Sequence, residues 1–288
     1  MLSNFKDSSA VQKYTAQSLV SFVSSMRNKA QKATFSSTLL ALALVPSLAS
    51  ASPVTVNARY VLSVAGTIVA DMNIKLDDNG RSYSLDLDAN VAGLGNLVAQ
   101  GAANIDVSGK SSGGKYAGED FHLMTRSSQN TANVNVDYNN GNVTAFVVDP
   151  PLQPRVDQVA VQRSQLRNVE DMLSAFVLQA DKFDHTLCDQ KLRIFTGVER
   201  FDLTMRYASS ENATSQRTGY QGPVIACQLA YDPISGHYTS SEITAYLQTS
   251  ERMLIWYAPV ENSNTFIPYR VLVGTSLGDL SMVLTSLS

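Results

Sequence analysis

This sequence predicts an all-β fold, mainly β with one helix, arranged as a curled antiparallel sheet, a spiral or an open barrel. Three observations support that. Apolar and polar residues alternate with period two along most of the chain after residue 52. Turn residues punctuate the alternation at short intervals. Only one segment carries apolar residues at helical spacing.

The elements follow in order. Val54, Val56, Ala58, Tyr60, Leu62 and Val64 alternate with mostly polar neighbours. After Gly66, residues Ile68, Ala70, Met72, Ile74 and Leu76 do the same. Asp78-Asn79-Gly80 is a hairpin-type turn. Tyr83, Leu85, Leu87, Ala89 and Val91 then alternate with Ser84, Asp86, Asp88 and Asn90, the pattern of a half-buried antiparallel strand. Leu97 to Val107 is rich in Gly and Ala and is expected to bend or carry a bulge. Gly109 to Gly114 reads as a turn. Strands are expected near 116–126, 131–138 and 143–149, the last after a turn at Asn139-Asn140-Gly141. Pro150, Pro151 and Pro154 open a longer irregular connection.

The spacing predicts a helix over Asn168–Phe183. Val169, Met172, Leu173, Phe176, Val177 and Ala180 fall on one face, Asn168 serves as N-cap, and Glu170 and Asp171 sit in the first turn. Strands resume near 187–196, 199–209, 216–230, 252–259, 265–274 and 279–287. The segment 239–250 fits a strand or a short helix. A meander this long must hide its edges, and curling does so.

The first 51 residues form an N-terminal extension and a secretory signal peptide. Arg27, Lys29 and Lys32 precede an apolar run from Thr38 to Leu48, and Ala49-Ser50-Ala51 is a small-residue cleavage site with Ser52 as the first mature residue. Residues 1–25 are polar and mixed, so translation is expected to start at Met26. The apolar run is shorter than the ~20 residues of a membrane-spanning helix, and the mature part, a single β domain over 52–288, has no transmembrane segment. The expected location is the periplasm of a Gram-negative bacterium.

Residues 1–51 hold five of the 22 basic and one of the 25 acidic residues, which leaves 17 against 24 and a formal charge of −7 for residues 52–288. An acidic protein lacks the basic face that nucleic acid requires, so nucleic acid is excluded as a partner. Cys188 and Cys227 are the only cysteines, and an even count in an exported chain points to a structural disulfide. There is no C-x-x-C, and no Lys, Arg or His adjoins either cysteine to activate it.

Signals for chemistry are weak. His122, His185 and His237 show no metal-ligand spacing, so no metal and no cofactor is implied. The sequence lacks a G-x-S-x-G elbow and an S-x-x-K motif. Asn104–Ser111 superficially resembles a phosphate-binding loop but has Asn104 where the first Gly belongs. Asp184, Asp189, Glu199 and Asp202 lie in one region, yet their spacing favours no catalytic pair. No catalytic residue is assigned.

The run Asp171-Met172-Leu173-Ser174-Ala175, then Cys188, the stretch Arg193 to Leu203, Gly222 and Cys227 resemble the bacterial domain-of-unknown-function family numbered 3108. Ile267-Pro268-Tyr269-Arg270-Val271 and Thr275 to Leu280 are similar to it as well. The resemblance spans about Tyr60 to Leu284. It departs at Glu170-Asp171-Met172, where the family tends to show Asp-Pro, and at Thr196, where an Asp often stands. It implies an exported envelope protein with a curled sheet and a Cys–Cys bond, and no substrate. The expected function is non-catalytic support of envelope integrity through an unknown envelope protein partner. The alternatives are a carrier of a lipid or other apolar ligand in the concavity of the sheet, and a hydrolase of envelope polymers.

Overall fold

A computed structural model of the chain describes residues 53–93, 101–112, 114–128, 130–153, 155–275 and 278–288. The expected start at Met26, the cleavage residues Ala49, Ala51 and Ser52, and the beginning of the Leu97–Val107 strand lie outside the described residues. The chain first forms a seven-strand meander: β1 (Val54–Val64), β2 (Thr67–Asp78), β3 (Ser82–Val91), β4 (Gly101–Ser112), β5 (Lys115–Ser127), β6 (Thr131–Asn139) and β7 (Asn142–Asp149). A long connection contains the two-residue β8 (Leu178–Gln179). A second meander follows, with β9 (Lys191–Phe195), β10 (Arg200–Ala213), β11 (Gly222–Ser235), β12 (Met253–Pro259), β13 (Thr265–Val273) and β14 (Leu280–Leu287).

All strands belong to one antiparallel sheet in the order β7-β6-β5-β4-β3-β2-β1-β14-β13-β12-β11-β10-β9, and β8 pairs with β13. The chain thus enters at the middle of the sheet and meanders out to the edge at β7. It then crosses to the edge at β9 and meanders back until β14 lies beside β1. In a flat sheet the two edges would stand about 58 Å apart, twelve strand spacings. Instead the Phe146 ring of β7 meets the Phe195 ring of β9 edge to face, 5.2 Å between centroids. The sheet has therefore curled until its ends touch through side chains. No strand hydrogen bonds join β7 to β9, so it stays open rather than closing into a barrel.

Period two sets which face turns inward. One transverse row runs Val56, Leu76, Leu85, Val107, Phe121, Val136 and Phe146 across seven strands, and its first six members are buried. Their register neighbours on the same face, Ala58, Tyr60, Tyr83 and Tyr138, belong to the same core. Two hairpins turn on consecutive residues of positive φ, Ala65-Gly66 and Asn140-Gly141, the geometry that matches strand twist.

A second core lies under β9 to β13, around Leu203, Met205, Leu229, Ile255, Tyr257 and Phe266. Cys188 and Cys227 are joined there with Cα atoms 5.5 Å apart, the spacing of a disulfide. The bond fastens a 3-10 turn, His185–Cys188, to β11. That turn occupies the start of the strand expected near 187–196.

The helix expected over Asn168–Phe183 is not formed. Asn168 adopts a positive φ of 52°, Glu170 bridges to Ile194 in parallel fashion, and Leu178–Gln179 pairs with Thr265–Phe266. Only a three-residue 3-10 turn, Ser174–Phe176, remains helical. Two physical causes explain this. The Asp171 carboxylate accepts from the Leu173 and Ser174 N–H groups (2.9 and 2.7 Å), so it competes with helical hydrogen bonding. The apolar residues also serve two cores: Val169, Leu173 and Val177 pack into the first, Ala175 and Leu178 into the second. A segment enclosed between two cores has no single buried face. Among the described residues the α-helix instead lies in the ambiguous segment, as α1 (Glu242–Thr249), with the Ser241 hydroxyl accepting from the Thr244 N–H.

Candidate functional site

Two features stand out on the described surface. The first is the edge at β7. This strand pairs with β6 on one side only, and no other element bonds to its backbone between Asn142 and Asp149 among the described residues. Its sequence, NVTAFVVD, breaks the alternation with a continuous apolar run. Phe146 and Val147 therefore project to opposite faces, and both are exposed, at 41% and 58%. An open groove of about 310 Å³ runs beside the strand, lined by Phe146, Val148, Pro151, Leu152, Val161 and Val198 among others. Leu152 and Val156 add further exposed apolar surface. The sequence placed a strand at 143–149 without marking it as an edge. The unbroken Ala145-Phe146-Val147-Val148 run was the available signal.

The second feature is a pocket of about 420 Å³ where the first meander meets the connection and β9. Lys115–Gly118 of β5, Tyr138, Asn140-Gly141, Asn168–Asp171 and the side chains of Lys191 and Arg193 surround it. Asp171 is fully buried, at 0% exposure. Its Oδ1 takes the two backbone N–H groups, while Oδ2 has no hydrogen-bond partner among the described residues. Oδ2 rests against Gly118, where an added Cβ would stand 2.6 Å away, so only glycine admits the carboxyl. Burial raises the Asp171 carboxyl above the usual carboxylate range despite the N–H groups that oppose the shift. Burial also raises Glu170, with Lys115 pulling the other way.

A buried polar network braces the floor of the curl. Asp78 of β2 accepts from Ser111 Oγ (2.8 Å), Tyr116 OH (3.0 Å) and the Gly80 N–H (2.7 Å), with Gln179 Nε2 at 3.4 Å. Tyr83 OH and Ser174 Oγ lie 2.7 Å apart, and Tyr138 OH donates to Phe195 O (2.9 Å). Glu170 and Asp171, read from sequence as first-turn helix residues, thus belong to a pocket wall. Only the fold could reveal that.

The other sequence candidates have structural roles. Asp184 caps the His185–Cys188 turn by accepting from the Thr186 N–H (2.9 Å). Burial would raise the Asp202 carboxyl, but hydrogen bonds and charges from Lys191 and Arg200 hold it below the usual range. The Asp189 N–H donates to Thr186 O, and Glu199 N–H to Thr196 Oγ1. His122 lies 3.5 Å from Asp106, and His185 stands edge-on to the Tyr207 ring. Among the described residues no three His, Cys, Asp or Glu side chains gather as metal ligands, and no helix is long and apolar enough to cross a membrane. Asn104–Ser111 is strand, inside β4. A further polar hollow of about 890 Å³ lies on the outer face of β1 to β4. There Asp86 stands opposite Asp106, and its carboxyl is raised by burial and then by that neighbouring charge.

No curated protein matches the chain. Among solved structures it is similar to the crystal structure of a β-barrel-like protein of domain of unknown function DUF1849 from Brucella abortus. That likeness has 10% identity and a TM-score of 0.47, covering 83% of this chain and 98% of that one. The family model described as "Protein of unknown function (DUF3108)" matches residues 56–285, from within β1 to within β14. With that match spanning the whole sheet, the chain belongs to the DUF3108 family.

Proposed function

We propose that this is a non-catalytic periplasmic protein that supports the cell envelope by taking an extended segment of a protein partner along β7. The unpaired, apolar edge of β7 carries the reading. A free strand edge offers a row of N–H and C=O groups to a second strand, and side pockets then select alternate residues of the incoming segment. Edges that are not meant to pair are guarded by charge, proline or brevity. The stretch Asn142–Val148 has no charged residue and no proline, and it lies beside an apolar groove. The signal-type N-terminus and the Cys188–Cys227 bond support an oxidising compartment.

A carrier of an apolar ligand in the concavity has less support. Tyr60, Leu76, Leu85, Val107 and Phe121, together with Leu166, Val169 and Leu173 of the connection, pack that space among the described residues. The experiment is complementation of a deletion strain under detergent and cell-wall stress. The wild-type chain is expected to restore growth, and Val147→Lys, an exposed change that leaves the fold intact, is expected to fail. A deletion strain with a normal stress response, or full rescue by Val147→Lys, would refute the proposal.

A further inference from the structure

The surroundings of β7 select the chemistry of the segment it takes, an inference that rests on the reading of β7 as a docking edge. Three transverse rows of the outer face end on this strand: Asp120–Asp137–Ala145, His122–Asn135–Val147 and Met124–Asn133–Asp149. Further in, Asp86 and Asp106 continue the second row and Asp88 the third. β3, β6 and β7 contain no Lys or Arg. Lys75 and Lys110, at the margins, are already held by Asp77 and Glu119. Asp137 and Asp149 are exposed, and neither stands in an ion pair among the described residues. The Asp86 carboxyl is raised by burial and then by the Asp106 charge, as expected where negative charge is left uncompensated.

A strand added to β7 sends alternate side chains to the two faces. On the groove side, the residues opposite Phe146 and Val148 face Pro151, Leu152, Val161 and Val198, so apolar side chains fit there. On the outer side, the residue opposite Asp149 stands directly beside its carboxylate. The residue opposite Ala145 lies two strand spacings from Asp137, about 9.6 Å, and the small Ala145 side chain leaves the way clear for a long cationic one. Between these two outer positions, the residue opposite Val147 meets an exposed apolar side chain. A second copy of this chain is a poor occupant. Pairing β7 with β7 would bring its own Asp137 and Asp149 to the same edge, where like charges repel.

We propose that β7 takes an extended cationic segment of another protein. It carries Lys or Arg at two outer positions four residues apart, opposite Ala145 and Asp149, with three apolar residues between them.

The test is titration of the full chain, followed by fluorescence anisotropy, with the labelled peptide Gly-Lys-Val-Leu-Val-Lys-Gly and its analogues with Gln or Glu in place of both Lys. The Lys peptide is expected to bind about tenfold more tightly than the Gln peptide, which two exposed ion pairs can supply, and the Glu peptide most weakly. Asp137→Asn combined with Asp149→Asn is expected to erase that advantage, with the Gln peptide's affinity and thermal unfolding unchanged. Val147→Lys, which puts a guarding charge on the edge, is expected to abolish binding of the Lys and Gln peptides. Equal affinity for those two peptides, or an advantage that survives the double variant, would overturn the cationic assignment and leave the β7 edge standing. No binding by any peptide, or Lys-peptide binding that survives Val147→Lys, would overturn both. A concentration-dependent dimer in sedimentation, lost in Val147→Lys, would give the edge to a second copy and also overturn the proposal.

Discussion

Phe146 and Phe195 touch edge to face across the gap between the first and last strands of the sheet. The Tyr138 OH donates to the Phe195 carbonyl at the same place, and Gly197 packs against Val134 and Val136. At this seam, ring contact and the direct Tyr138–Phe195 hydrogen bond join the two ends of the sheet where strand pairing does not. Phe146→Ala should loosen this seam. The ring pair is worth about 0.5–1.5 kcal/mol beyond area burial, and the half-exposed ring adds little more. Urea unfolding is expected to show a loss of that order.

Gly197 should be far less tolerant. Its φ is +86°, and an added Cβ would stand 2.2 Å from Val134 Cγ1. Backbone strain and overpacking act together, so Gly197→Ala is expected to cost about 2–3 kcal/mol. Thermal unfolding checks this, and Val134→Ala in the same chain should recover part of the loss by removing the clash but not the strain.

Asp78 ties β2 to β4, β5 and β8 through Ser111, Tyr116 and Gln179. Asp78→Ala leaves buried hydroxyls without an acceptor, at about 1–3 kcal/mol for each group that finds none. The variant is expected to unfold at markedly lower denaturant. Asp78→Asn, which keeps one acceptor oxygen, should fall between it and the wild type.

Asp171 has a folded-state carboxyl raised above its unfolded value near 3.9. The folded chain then binds the proton more tightly than the unfolded chain, so this group's contribution is greatest below about pH 4 and declines as pH rises. Glu170 acts in the same sense. Asp202, held low, acts in the opposite sense and loses its contribution as pH falls. The difference in unfolding free energy between Asp171→Asn and the wild type isolates the first effect. It should shift in favour of the variant from pH 4 upward, and a flat difference would refute it.

Cys188→Ser and Cys227→Ser are expected to lower stability about equally, with the double variant little worse. The chain-entropy model gives roughly 4 kcal/mol for a loop of this size. Chemical unfolding of the three variants under identical buffer provides the check.

Much of the sheet was legible in the sequence because period two and turn chemistry are local. Val56, Leu76, Leu85 and Phe121 announce an inward face, and Asn140-Gly141 announces its hairpin. The Asn168–Phe183 segment misled because helical spacing reports only that apolar residues recur, whereas Val169 and Leu178 bury into different cores. The curl was expected in kind, but the Phe146–Phe195 seam joins residues 49 positions apart in sequence and has no local signature. The pocket was hidden for the same reason: Lys115, Tyr138, Asp171 and Arg193 come from four separate elements.

The placement of β1 beside β14 has a consequence for the order in which the molecule assembles. Apart from the two-residue β8–β13 pairing, every other strand pairing among the described residues joins neighbours in sequence, and such hairpins can zip locally as the chain emerges. A chain made or delivered from its N-terminus presents β1 early, yet its partner, Leu280–Leu287, arrives more than 200 residues later. Until then β1 is a bare edge in the middle of the future sheet. A chain cut short before β14 would carry both halves and the disulfide, and it would still expose Val61 and Leu272 along two unpaired strand edges. β14 thus joins the two halves, and a product truncated before it is expected to be cleared by proteases or to aggregate.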